Sequence, residues 1–239
     1  MTPVVFVHGF MGGSRQWAGQ QGAFNGADVV ALDLPGFGQN AHLEALGSIE
    51  SYADWVLDAL SARGIERFYL VGHSMGGMVA QEMAARSAGR IARLVLYGTG
   101  AQGVLPGRFE TIQTSKERAQ ADGAVATARR IAATWFLERE NADAYEGCAQ
   151  IAERSGMQAI LSGLDAMNQW DGSAHLAGLT IKTLIIWGDQ DRTYSWRQTE
   201  QLWQSISQSS LAVLPDCAHA PHLEKTALFN AIASDFIAP

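Results

Sequence analysis

Cysteine is scarce in this chain of 239 residues: Cys148 and Cys217 are the only two. Two thiols make neither a disulfide framework nor a zinc spacing, so both are expected to stay reduced in a cytoplasmic protein. Basic charge is also short, with 17 Lys and Arg against 24 Asp and Glu and a net charge of −7. Phosphate-backbone affinity rests on clustered cations, so no nucleic-acid partner is expected. No apolar run nears the roughly 18 residues of a membrane span, and no membrane association is expected either. Met1-Thr2-Pro3 runs straight into Val4-Val5-Phe6-Val7 without a basic leader or cleavage site, a second pointer to the cytoplasm. Glycosylation acceptors, charge blocks, low-complexity tracts and repeats are missing too.

What is there is apolar. Hydrophobic residues make up 47% of the chain and charged residues 17%, enough for a substantial core in one large domain or in a core that carries an insertion. Short apolar runs recur at Val4 to Val7, Val29 to Leu32, Phe68 to Val71, Leu94 to Tyr97, Leu184 to Trp187 and Leu211 to Leu214. They are continuous rather than alternating, the mark of strands buried on both faces of a parallel sheet. Helical patterns lie between several of them. Tyr52, Val56, Leu57 and Leu60 recur at helical spacing, Ser51 with Asp54 resembles a capping box, and Gly64 sits where a helix should stop. Strand and helix in succession predict an α/β fold.

From about Ala101 to Gly178 no strand-like run occurs. Nearly eighty residues are too many for a plain loop, and the spacing of Trp135, Phe136, Leu137, Ile151, Ile160, Leu161, Leu164 and Trp170 predicts several short amphipathic helices. Residues 1–100 and 179–239 are therefore expected to form a core domain and 101–178 an inserted helical lid, with Gly100, Gly103 and Gly178 near its joints.

The most informative stretch is Gly72-His73-Ser74-Met75-Gly76, which follows a predicted strand and opens a predicted helix. Gly-x-Ser-x-Gly in that context is a nucleophile elbow: a sharp turn that leaves the serine exposed at the carboxyl edge of the sheet. Its helix amino terminus favours negative charge. A serine hydroxyl needs a base, and the base needs an orienting carboxylate. Candidates follow the last two predicted strands: Asp189 and Asp191 in Gly188-Asp189-Gln190-Asp191-Arg192, then His219 and His222 in the stretch from Pro215 to Glu224. Ser, Asp, His is one of the known triad orders.

With His8-Gly9-Phe10 after the first strand and Asp33-Leu34-Pro35-Gly36-Phe37-Gly38 after the second, these pieces give five motifs in order. The chain resembles the α/β-hydrolase superfamily over essentially its whole length, in particular the branch of carboxylesterases, enol-lactonases and carbon–carbon bond hydrolases. The resemblance implies Ser74 as nucleophile, Asp191 as the carboxylate with Asp189 capping its turn, and His219 as general base. His222 would be a surface or packing residue, and His73 would support the elbow or touch the pocket wall. The backbone N–H groups of Phe10 and Met75 would form the oxyanion hole, with His8 bracing its loop. No cofactor or metal is implied. The pattern is departed from in three places. Only three residues precede Val4, so about six strands are expected without the usual amino-terminal hairpin, with Val29 to Leu32 at one edge. Asn40 replaces a common serine and Lys182 a common proline.

Met11, Trp17, His73, Trp135, Phe136 and Trp170 are candidates to line an apolar substrate pocket, and Arg108, Arg129 and Arg130 to meet a substrate carboxylate. The expected function is a serine hydrolase of a small ester or lactone acting through an acyl-enzyme. Carbon–carbon bond hydrolysis or a lyase reaction on the same triad is the alternative within enzymes, and a small-molecule receptor on a hydrolase scaffold is the alternative outside them.

Overall fold

The computed structural model describes residues 1–104 and 110–238. All six apolar runs are strands: β1 (Val4–Val7), β2 (Val29–Leu32), β3 (Phe68–His73), β4 (Ile91–Tyr97), β5 (Thr183–Gly188) and β6 (Ser209–Leu214). They form one sheet in the order β2-β1-β3-β4-β5-β6, with every neighbouring pair parallel and β2 at an edge. Burial on both faces explains the continuous apolar runs. Val5 and Val7 pack into one hydrophobic cluster, while Val4 and Phe6 pack with Trp17, Phe24 and Phe229 into another, as alternation across a pleated strand requires.

Helix α1 (Ile49–Ser61) buries Ile49, Tyr52, Val56, Leu57 and Leu60. Its cap is Ser48, whose hydroxyl accepts the Ser51 amide at 3.1 Å. The box expected from Ser51 and Asp54 is thus misplaced by three residues: the buried stripe already starts at Ile49, so the helix begins there. At the other end Gly64 adopts φ 70°. That turn lets the Ile65 N–H reach the Leu60 carbonyl at 3.0 Å and the Gly64 N–H reach Ser61 at 2.9 Å, which satisfies the terminal carbonyls. Helix α2 (Met75–Ser87) follows β3 directly.

Between β4 and β5 come α3 (Ile112–Asp122), α4 (Ala124–Ala133), α5 (Tyr145–Ala152) and α6 (Met157–Gln169). The two ends of this helical stretch meet in an isolated antiparallel bridge between Gln102 and Asp171. Gly103 N–H donates to Trp170 O at 3.0 Å and Gly172 N–H to Ala101 O at 2.9 Å. Helices α7 (Trp196–Ser205), α8 (Pro221–Glu224) and α9 (Thr226–Ile237) complete the chain. Among the described residues no helix is long and apolar enough to cross a membrane.

Topology positions the site. The chain steps from β1 outward to β2 and then returns to the opposite side of β1 as β3. The loops after β1 and β3 therefore diverge at a switch point, where open parallel sheets form their ligand crevices beyond the carboxyl ends of the strands. Because all strands are parallel, the loops after β5 and β6 open on the same rim.

Candidate active site

Ser74 occupies the turn between β3 and α2 with φ 54° and ψ −120°. A non-glycine residue held there stores about 1–3 kcal/mol of strain. The surroundings enforce it: the Ser74 N–H donates to Tyr97 O at 3.1 Å, and Ser74 O accepts the Thr99 hydroxyl at 2.8 Å. The flanking glycines serve close approach. A Cβ on Gly76 would strike the carbonyl oxygens of Val7 and His8, and one on Gly72 would lie 2.6 Å from Gly76 O. Among the described residues the Ser74 hydroxyl has no hydrogen-bond partner, and Ser74 lines a cavity.

The same cavity is lined by Asp191 and His219. His219 Nδ1 lies 2.9 Å from Asp191 Oδ2, and the pair is almost wholly buried, at 2% and 0% side-chain exposure. Asp191 Oδ1 accepts the amides of Thr193 at 2.7 Å and Tyr194 at 3.2 Å. With Asp191 as acceptor, His219 carries its proton on Nδ1 and leaves Nε2 free to take another. Asp189 is engaged elsewhere, accepting the Cys217 amide at 3.4 Å. His219 is further held by Tyr194, whose ring stacks on it at 5.6 Å, and by Glu224. The Glu224 carboxylate accepts the Ala218 amide at 2.7 Å and, through its other oxygen, the Leu137 amide at 2.7 Å.

Three further histidines pack around the site. His8 accepts the Leu34 amide on Nε2 at 2.9 Å, so its Nδ1–H donates to Gly9 O at 2.7 Å and braces the loop after β1. Burial lowers its pKa. His73 stacks on Tyr97 at 4.6 Å, and burial followed by the neighbouring His219 and His222 pushes its pKa well down. His222 is fully buried against Trp17, ring centroids 4.5 Å apart, and is thus a packing residue. Neither of its ring nitrogens has a partner among the described residues.

The Phe10 and Met75 amides donate to no backbone carbonyl among the described residues. Phe10 lines the cavity, and Met75 is the first residue of α2, its side chain buried in the core. Two main-chain N–H groups without a partner among the described residues, one on the loop after β1 and one in the first turn of α2, are the kind of donor that can receive developing negative charge.

The cavity has a volume of about 470 Å³, within the ordinary range for small-molecule sites. Of the aromatic and methionine candidates, His73 and Trp135 line it. The other four lie in the interior. Trp17 packs on Phe6 at 4.6 Å beneath the sheet, Met11 and Phe136 are fully buried core residues, and Trp170 donates from its indole to Glu82 on α2 at 2.8 Å. Aromatic residues bury large areas, and here the joint between sheet and helices takes them. Arg129 points outward, paired with Glu146 and Glu153 at 2.6 Å each. Arg130 lines the cavity, and Arg108 lies outside the described residues. Sequence reasoning missed Thr127 and Ile131 of α4 and Thr134 just past its end, which line the cavity beside Arg130. Their i, i+4, i+7 spacing was legible, although not the direction in which that face turns. Among the described residues no three His, Cys, Asp or Glu side chains group to hold a metal ion.

The chain matches the model of the alpha/beta hydrolase fold family over residues 2–226, and it belongs to that family. It is 28% identical to a 2-hydroxy-6-oxo-6-phenylhexa-2,4-dienoate hydrolase of Comamonas testosteroni, covering 98% of this chain and 87% of the relative. A putative carbamate hydrolase, RutD, of Agrobacterium fabrum is 26% identical, with 100% and 94% covered. Among solved structures, the enol-lactonase from Burkholderia xenovorans LB400 superimposes with a TM-score of 0.90 at 25% identity, covering 99% of this chain and 92% of that one. Relatives named as hydrolases thus span nearly the whole chain, and the coarse assignment is a hydrolase of this family.

Proposed function

We propose that this hydrolase cleaves small ester-like carbonyl substrates, a carboxylic ester or a lactone, through an acyl-enzyme on Ser74. The observation that carries the reading is the buried Asp191–His219 pair on the same cavity as a strained, unpartnered Ser74. His219 Nε2 takes the Ser74 proton as Oγ attacks the carbonyl carbon, and the oxyanion is received by the Phe10 and Met75 amides. Collapse expels the alkoxide, which leaves with the proton from His219. Water, deprotonated by the same imidazole, then attacks the acyl group; the acid departs and Ser74 regains its proton. Asp191 keeps His219 in the tautomer that makes both transfers possible. In this reading residues 1–100 and 179–239 are the core, and 101–178 is a lid whose α4 and α6 roof the cavity.

One relative supports a second reading, hydrolysis of a carbon–carbon bond on the same triad, since it is named as a dienoate hydrolase. Turnover of a short-chain aryl ester by the wild type, falling on the order of a millionfold in Ser74→Ala, is the expected result. Absence of turnover on esters and lactones alongside cleavage of a ring-fission diketone would move the assignment to the second reading. Tight binding with no turnover of any of these would favour a receptor.

A further inference from the structure

We infer that the face of the Tyr194 ring favours the imidazolium that His219 becomes at each proton transfer, and that Trp187 is a positioning residue that holds Tyr194 there by its main-chain carbonyl. The inference rests on the acyl-transfer reading for the role of His219 and adds two residues that act through it.

Both nitrogens of His219 are occupied in that reading. Nδ1 faces Asp191 at 2.9 Å, and Nε2 exchanges protons with Ser74 and the leaving group. Charge that arrives on the imidazole is therefore stabilised further only from the faces of the ring. Tyr194 lies on one of them, nearly parallel at 12° with the ring centroids 5.6 Å apart. A cation within about 6 Å of an aromatic centroid is attracted by the negative face of the ring, and more strongly when both are out of water. Tyr194 and His219 are each 2% exposed. The neutral imidazole gains less from the same contact, so the ring favours proton uptake instead of holding both states alike. His73 also lies beside His219, at 4.7 Å, but its ring is tilted by 44° and burial keeps it neutral.

The main chain of Tyr194 shows what keeps the ring in place. Its N–H donates to Asp191 Oδ1 at 3.2 Å, and its carbonyl accepts the indole N–H of Trp187 at 2.9 Å. Trp187 belongs to β5, so the sheet fixes the donor. Its half-buried ring packs on Trp196, the first residue of α7, at 5.6 Å. The loop from β5 to α7 is thus closed across its own ends, with a strand-borne indole gripping the residue whose side chain meets the proposed base. The backbone after β4 limits the ring as well: a Cβ on Gly100 would lie 3.4 Å from Tyr194 Cδ1 and Cε1. Tyr194 lines the cavity, and Trp187 lies behind it, outside the lining.

Kinetics on a short-chain aryl ester separate the roles. Trp187→Phe keeps a ring against Trp196 and removes the donor. Its kcat should fall roughly two- to tenfold, as expected for one hydrogen bond, while KM stays within about twofold. Tyr194→Leu fills space without an aromatic face and should lower kcat roughly five- to thirtyfold; Tyr194→Phe should recover the greater part of that loss. Because Trp187 acts through Tyr194, adding Trp187→Phe to Tyr194→Leu should cost little more. Trp203→Phe makes the same exchange at the exposed end of the tryptophan cluster and should leave kcat as it was. A second measurement needs no turnover. The low-field proton resonance of the His219 Nδ1–H, identified by its loss in His219→Gln, should broaden or move in Trp187→Phe and in Tyr194→Leu, and stay in place in Trp203→Phe. Losses that multiply in the double variant, a Tyr194→Phe as slow as Tyr194→Leu, or an unmoved resonance in Trp187→Phe would each overturn the inference and leave the acyl-transfer reading standing. If no ester or lactone is turned over while the resonance responds as stated, the acyl-transfer reading fails and the hold of Trp187 and Tyr194 on His219 stands.

Discussion

The Nε2–H of His73 donates to the main-chain carbonyl of His219 at 2.9 Å. The residue before the proposed nucleophile thereby holds the backbone of the proposed base, across 146 positions of sequence. His73→Phe keeps a ring on Tyr97 and removes the donor. A net hydrogen bond of this kind contributes about 0.5–1.5 kcal/mol, so kcat on an aryl ester should fall by up to roughly tenfold while KM stays within about twofold of the wild type, as expected when ground-state binding is untouched. An equal fall in both variants of a pair, His73→Phe and a remote control, would remove the bracing role.

The backbone of Ser74 makes a prediction of opposite sign for stability and activity. Glycine adopts φ 54° without the Cβ penalty, so Ser74→Gly should recover much of the roughly 1–3 kcal/mol of strain, less about 0.5–1 kcal/mol for the freer unfolded chain. Urea unfolding should show a raised midpoint at unchanged slope, together with loss of turnover. A lowered midpoint would mean that the turn is not strained.

Glu224 joins the His219 loop to the helical stretch through two main-chain amides. Glu224→Ala leaves both amides without their acceptor in a partly buried setting, and the loss should be about 1–3 kcal/mol. Glu224→Gln keeps two acceptor positions only in part, because one terminus becomes a donor, and should fall between the two. Chemical unfolding of the three proteins checks the order.

Burial lowers the pKa of His222 to about 3, with the neighbouring His219 adding to the effect. The unfolded imidazole titrates near 6.5. Between those values the unfolded chain binds a proton that the folded chain refuses, so stability from this group is complete above about pH 6.5 and is lost as pH falls towards 3, at up to about 1.4 kcal/mol per unit. His8 and His73, also lowered by burial, act in the same direction. His222→Leu should therefore show a shallower loss of unfolding free energy between pH 6.5 and 4 than the wild type. Parallel curves would show that His222 does not resist protonation.

The sheet was legible in the sequence because its strands are buried on both faces, so each run announced itself without alternation. The ends were less so. Thr183, Ser209 and Ser210 belong to β5 and β6 because ladder pairing begins ahead of the first apolar residue of each run. The elbow and the Asp191–His219 pair were readable because their geometry is tied to fixed spacing next to strand ends. The cavity wall was not. Trp17, Phe136 and Trp170 read as pocket residues by type, yet large side chains close the joints of the core, while the lining falls to Thr127 and Arg130 on a helix whose orientation is set by distant packing. Tyr194, stacked on His219, has no local signature at all.

The carboxylate of Asp191 hangs on the amides of Thr193 and Tyr194, and those same residues face the cavity. Selection and proposed chemistry therefore share that loop: an exchange made there to welcome a new guest would tilt the Asp191–His219 pair of the proposed relay. The α4 face makes no contact with that carboxylate, so exchanges there would reshape the cavity and leave the pair as it stands.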